Sequence, residues 1–179
     1  MRRTGFTLIE LMVTVSVAAI LLTVGVPSFR DLIAANQLAT QSNAFSGFMN
    51  LARSEAVKRG VRVSVCASDS AASGNGSQTL CTGAWNNGWV AFTDADGDCT
   101  IDAGADEKLR VDGKLAGSTL AATRTDTPAA VTCTGYLASG LSATTSADIR
   151  FTLCNQSLKK ARVIEFSRTG RLRKTDATC

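Results

Sequence analysis

Apolar residues fill the first part of the chain with no period. From Phe6 to Val26, 21 residues carry a single charge, Glu10. About 20 such residues are what a helix needs to cross the hydrocarbon of a bilayer. From residue 28 the pattern changes. Leu32, Ile33, Leu38, Phe45, Phe48, Met49, Leu51, Ala52 and Val57 recur at three- and four-residue steps, which marks a helix with one apolar face. Gly25 and Pro27 stand at the change, and a kink or loosening is expected there because proline removes a backbone hydrogen bond. A helix over 6–59 would be about 80 Å long at ~1.5 Å per residue. Its core candidates are Phe45, Phe48, Leu51 and Val57, and Lys58-Arg59-Gly60 supplies a basic last turn and a stop.

Period two follows. Residues 61–66 alternate cleanly, with the valines expected to face the helix and Arg62 and Ser64 the other way. Further strands are predicted at 88–92, 109–111, 119–124, 130–134, 149–153, 162–166 and 171–173. Residues 69–83 are rich in Ser, Gly and Asn and read as a loop. No internal repeat or second domain is visible. The predicted organisation is a short leader (1–5), a helix (6–59) whose first part (6–26) spans a membrane, and a β-rich domain (60–179).

Arg2 and Arg3 precede the apolar run, so the positive-inside rule keeps the N-terminus in the cytoplasm and sends the rest outward. All six cysteines, Cys66, Cys81, Cys99, Cys133, Cys154 and Cys179, lie beyond the run. In an oxidising compartment an even count reads as disulfides. Many pairings are open to six cysteines; the favoured set is Cys66–Cys81, Cys99–Cys133 and Cys154–Cys179, the last tying down the C-terminal tail. The chain has no histidine, which removes the usual general base and the commonest metal ligand. No nucleophile–base pair, phosphate loop or dinucleotide fingerprint is present, so neither enzyme activity nor a cofactor is expected.

A carboxylate inside a span is a functional-site candidate by default. Its setting is specific: Gly5-Phe6-Thr7-Leu8-Ile9-Glu10-Leu11 resembles the leader junction of type IV pilins and pseudopilins. The resemblance implies that a prepilin peptidase cuts between Gly5 and Phe6 and methylates Phe6. It also implies that Glu10 pairs with the N-terminal amine of a neighbouring subunit during assembly. The second half resembles the GspH/FimT branch of that superfamily, through Asn87-Gly88-Trp89-Val90-Ala91-Phe92, an Asp-rich loop ending in Leu109-Arg110, a late Cys154, and Gly170-Arg171. The implied fold is α+β and pilin-like, a long N-terminal helix packed on an antiparallel β-sheet domain with disulfides. The implied places are the inner membrane, with the domain in the periplasm, and then the pilus. The implied partners are other pilins and minor pilins.

Charge then becomes informative. Residues 150–179 hold eight basic side chains and two acids, whereas 94–112 hold seven acids against Lys108 and Arg110. In a strand Arg171 and Arg173 share a face, about 6.6 Å apart at ~3.3 Å per residue, a spacing comparable to that of neighbouring phosphates. Arginine's planar fork holds a phosphate through two hydrogen bonds. Gly170-Arg171-Leu172-Arg173 matches the Gly-Arg-x-Arg motif by which FimT proteins bind DNA in natural transformation, which implies DNA as a partner. Arg168, Lys174, Lys159, Lys160 and Arg162 are further candidates from charge alone. The alternatives are a tip-priming minor pilin without a nucleic-acid role, a type II secretion pseudopilin, and, for the basic hairpin, charges that only deter edge aggregation. Trp85 and Trp89 are expected in the core rather than stacked on bases. Asp94-Ala95-Asp96-Gly97-Asp98 has the start of a calcium loop, but Cys99 and Ala105 stand where the loop pattern wants Gly and Glu, so a solvated turn is expected and no metal.

The leader generates a direct prediction. Mass spectrometry of the chain co-expressed with an active prepilin peptidase should find Phe6 as a methylated N-terminus; an intact Met1 would count against the junction.

Overall fold

A computed structural model describes residues 6–69, 81–144 and 146–179, with the side chains of Val24, Gly25 and Pro27 outside the description. Gly5 lies outside the described residues. One helix, α1 (Leu8–Arg59), is followed by eight strands: β1 (Val63–Ala67), β2 (Trp89–Thr93), β3 (Lys108–Asp112), β4 (Thr119–Arg124), β5 (Cys133–Tyr136), β6 (Ile149–Asn155), β7 (Lys160–Phe166) and β8 (Leu172–Thr178). They form two antiparallel four-stranded sheets, ordered β3-β2-β1-β5 and β4-β6-β7-β8.

The ends of α1 follow from local chemistry. Thr7 caps the start through its side chain, and the Glu10 carboxylate accepts back from the Thr7 N–H at 3.2 Å, a capping box that satisfies otherwise orphaned donors. Gly60 ends the helix in the left-handed region at φ 68°, where glycine carries no Cβ penalty. The helix continues unbroken through positions 25 and 27. Its first part exposes Phe6, Leu8, Ile9, Leu11 and the following apolar residues on every described side. It is long and apolar enough to cross a membrane, by length and composition.

Beyond Ile33 the helix buries one stripe: Leu38, Ser42, Phe45, Met49, Ala52 and Ala56, with Phe48 and Ser46 beside it. The spacing alternates between four and three residues, which keeps the stripe on one side of a 3.6-residue helix. Both sheets pack there. Val63, Val65, Trp85, Trp89, Ala91 and Tyr136 come from the first sheet and its approach, and Leu120, Ile149, Phe151, Leu153, Ile164 and Phe166 from the second. Phe45 is the hub: its ring lies 5.0 Å from Trp89, 6.0 Å from Trp85 and 4.7 Å from Phe151. The two tryptophan pairs are edge-on and the Phe151 pair is tilted; edge-on aromatic contacts add to the burial itself. Both tryptophans are therefore core residues, and the Trp85 indole donates to the Val131 carbonyl at 2.6 Å.

Three expectations need correction. Val57 is 54% exposed; it lies one residue past the stripe position Ala56 and so about 100° around the helix. Leu32 and Ile33 are exposed as well, because the sheets begin to cover the helix only near Leu38. The last strand starts at Leu172, so Arg171 precedes it in the connecting turn.

The outer face of β1 is not solvated either. Cys66, Val90, Phe92 and Ile101 form a second small cluster with Cys81. Ser64 is buried there and donates to Asp94, which also accepts from the Gly97 N–H at 2.9 Å and faces Arg62 Nε at 3.4 Å. Three disulfides join Cys66 to Cys81, Cys99 to Cys133 and Cys154 to Cys179. The first two lie at that second cluster, and the third ties the end of β8 to β6.

The packing separates two helix positions that the sequence treats alike. Phe45→Ala should destabilise the domain by about 3–5 kcal/mol. Val57→Ala should stay within about 0.5 kcal/mol, as exposed substitutions do. Urea denaturation of the two variants checks the contrast, and equal costs would mean the stripe is misplaced.

Candidate nucleic-acid interface

The β7–β8 connection is a tight turn. The Gly170 N–H donates to the Ser167 carbonyl at 2.8 Å, and the Ser167 N–H to the Arg171 carbonyl at 2.9 Å. Gly170 sits at φ 77°, and a Cβ there would lie 2.3 Å from the Gly140 carbonyl oxygen. Any side chain would meet backbone, so this position requires glycine for two reasons, conformation and space.

The turn is held from the helix. Arg53 donates through Nη1 to the Gly170 carbonyl and through Nη2 to the Thr169 carbonyl, each at 3.2 Å. Its guanidinium lies 5.9 Å from the centre of the Tyr136 ring, within cation–π range. Burial pushes the Tyr136 phenol above its ordinary pKa, with the Arg53 charge opposing. From the other side the Ser142 N–H donates to the Arg168 carbonyl at 3.1 Å. The backbone that presents Arg168 and Arg171 is thus fixed by partners from α1 and the 137–144 loop.

Beyond the turn β8 descends beside α1. Gly170 touches Arg53, Lys174 Nζ donates to Asn43 at 2.7 Å, and Thr178 shares a groove with Ala35. The helix covers about 27 Å over that interval at ~1.5 Å per residue. The strand covers about 26 Å at ~3.3 Å per residue, so the two run side by side. Strand alternation sorts the side chains. Leu172 packs against the core and Lys174 turns to the helix. Arg173 turns outward, in register with Glu165 on β7, which is in turn in register with Arg150 on β6.

The candidate cations are therefore not one patch. Arg168, Arg171 and Arg173 gather at the turn end. Arg171 and Arg173 line an open cleft of about 450 Å³ with Ser167, Thr169, Asp148 and Glu165. Lys159 and Lys160 stand at the opposite end of β7, with Arg162 on the helix-facing side. Several cations are already engaged: Arg150 with Glu165 at 3.2 Å, Arg162 with Asp176 at 2.5 Å, and Arg168 with Asp148 at 3.9 Å. Among the described residues, no carboxylate lies within 4.0 Å of the basic groups of Arg171, Arg173, Lys174, Lys159 or Lys160.

Arg53, Gly140 and Arg150 were not among the candidates from sequence. Arg53 joins residues 117 positions away, and its one local signal is a cation beside the buried stripe. The Asp94, Asp96 and Asp98 carboxylates do converge within 4.8 Å, and Asp94 is engaged by Ser64, Gly97 and Arg62. Glu10 serves the Thr7 capping box.

Comparison with known proteins agrees with this architecture. The family described as type II transport protein GspH matches residues 41–170, and the prokaryotic N-terminal methylation motif matches residues 1–26. The chain belongs to the GspH family of pilin-like proteins. Among solved structures, the type IV minor pilin FimU of Pseudomonas aeruginosa superposes with a TM-score of 0.56 at 21% identity, covering 79% of this chain and 90% of that one. The minor pseudopilin EpsH from the Vibrio cholerae type 2 secretion system superposes at 0.50 with 12% identity, covering 78% and 96%. At such identities the likeness concerns the fold. A search of curated proteins returns no match.

The crowding at the turn yields a test. Gly170→Ala should lower stability by about 2 kcal/mol or more, from the left-handed conformation and the contact with the Gly140 carbonyl. Thermal unfolding measures it; an unchanged midpoint would show that the turn does not press on that loop.

Proposed function

We propose that this minor pilin, or pseudopilin, binds DNA through Arg171 and Arg173. The observation that carries the reading is the pair itself. Both side chains are exposed, both border one cleft, neither has a carboxylate partner among the described residues, and the adjoining turn is braced by Arg53. A pair of guanidinium groups carried on a braced backbone suits phosphate oxygens. Ser167 and Thr169 border the same cleft, their hydroxyls bonded to each other at 2.8 Å and the Ser167 hydroxyl also to the Arg171 backbone. Such binding acts on backbone charge and is independent of base sequence. In this reading the peptidase processes the chain at Gly5-Phe6. The 6–26 segment anchors it in the inner membrane with the domain in the periplasm. Glu10 leaves its capping box to meet a neighbour's amine as the subunit joins the pilus, and the bound DNA serves uptake in natural transformation.

The rival is an assembly subunit, of a pilus tip or a secretion pseudopilus, with no nucleic-acid contact. One observation favours it: Asp148 and Glu165 border the same cleft as the arginines and oppose a phosphate there.

Arg171→Gln with Arg173→Gln separates the two. Full-length protein in detergent is titrated against duplex and single-stranded DNA over a salt series. The variant should keep its unfolding midpoint and lose affinity for all sequences alike. Its slope of log affinity against log salt should shrink by up to ~0.9 per lost contact on duplex or ~0.7 on single strands. Wild-type-like binding by a folded variant would remove the hairpin as the site. No binding by the wild type at low salt would favour the assembly subunit.

A further inference from the structure

The cations at the other end of β7 have no part in that cleft. Lys159 ends the β6–β7 turn and Lys160 opens β7, about 20 Å from the Gly170 turn along a seven-residue strand at ~3.3 Å per residue. Both are exposed. The groove beside Lys160 contains Ala35 and Leu38 of α1, which fixes the height of this end. Ala35 is nine residues beyond Val26, about 14 Å along the helix axis at ~1.5 Å per residue. If the hydrocarbon ends at Val26, the polar headgroup layer takes up about 5–7 Å of that distance. Lys159 precedes Lys160 in the turn that closes this end of β7. A lysine's flexible four-carbon stem bridges much of the remainder, and an anionic leaflet acts over a further ~8 Å at physiological ionic strength.

The backbone adds a second, independent observation. Lys159 has φ 51°, the left-handed region that Gly or Asn adopts with least crowding. A cation at the last position of a turn where Gly or Asn fits better points to a use for the charge. The turn is held: the Cys179 N–H donates to the Lys159 carbonyl at 3.3 Å, and Cys179 is linked to Cys154. Of the nearby acids, Asp176 is paired with Arg162, and Asp31 lies on the exposed surface of the helix.

We infer that Lys159 and Lys160 form a contact site for anionic phospholipid headgroups at the membrane-proximal base of the domain. The contact steadies the domain over the bilayer before the subunit leaves it. It rests on the 6–26 span and is independent of DNA binding at the opposite end.

The test uses the full chain in vesicles of phosphatidylcholine alone and with added phosphatidylglycerol. Amine acetylation is followed residue by residue with mass spectrometry. Anionic lipid should slow labelling of Lys159 and Lys160 by about fivefold each, the ratio equivalent to the ~1 kcal/mol of one lysine at such a surface. Lys58 and Lys174 should keep their rates. Lys159→Asn should be at least as stable as wild type, since Asn tolerates this conformation, and should relieve part of the protection at Lys160. Equal rates in both vesicles overturn the contact while leaving the span intact. Failure to float with neutral vesicles overturns the span and the contact together. If Lys159→Gln with Lys160→Gln lowers DNA affinity as the Arg171 and Arg173 changes do, these lysines belong to a DNA path and the lipid contact is wrong.

Discussion

One continuous helix has to satisfy two surroundings, and the rest of the molecule is arranged by that constraint. In its first part α1 is apolar on every described side, which only lipid or neighbouring helices cover at low cost. From Leu38 onward it offers a single apolar stripe, and a stripe needs a partner layer. Two small sheets supply it together. Neither sheet alone covers the stripe: Phe45 touches Trp85 and Trp89 on one side and Phe151 on the other. The helix is thus the element through which the two sheets share one core.

The sheets are short and their connections long, so burial is supplemented. β1 and β2 are covered on both faces, the helix side by the main core and the other by the small cluster around Phe92 and Ile101. That second cluster is too small to hold the acidic 94–107 segment by itself. The Cys99–Cys133 link holds that segment covalently to β5, the Cys66–Cys81 link ties Cys81 to β1, and the Asp94–Arg62–Ser64 group satisfies polar atoms buried beside it. Constraining the unfolded chain in this way is worth a few kcal/mol per link in the chain-entropy account, a large fraction of a small domain's stability.

Local periodicity made most elements legible. The helix from Leu8, its end at Gly60 and the strand at Val63–Ala67 follow from spacing and capping residues within a few positions of each. What depended on distant pairing was not legible. Period two predicts that Ser64 turns away from the helix but not that a second cluster awaits it. Apolarity alone placed Val57 in the core, where phase along the helix excludes it. At the basic end, composition gathered seven cations into one group. Strand alternation and length distribute them over two faces and two ends, and register sets Arg150 and Glu165 beside Arg173. Arg53, which braces the turn from α1, belongs to a contact that no local pattern encodes.

Charge on an outermost strand has two physical uses, and their positions separate them. β8 has no partner on its far side in the second sheet, and an open edge invites pairing with other chains unless charged side chains blunt it. Lys174 and Asp176 lie within the strand and suffice for that, one bonded to Asn43 and the other to Arg162. Arg171 lies before the strand begins, so it protects no ladder position. Its backbone is fixed by Gly170, which admits no side chain, and by hydrogen bonds to Ser167. Edge protection needs only charge, supplied by mobile side chains at any ladder position. The glycine-only turn tied to Arg53 of the helix does something else: it docks the β7–β8 connection against α1 and the Gly140 loop, and so fixes the backbone on which Arg171 stands.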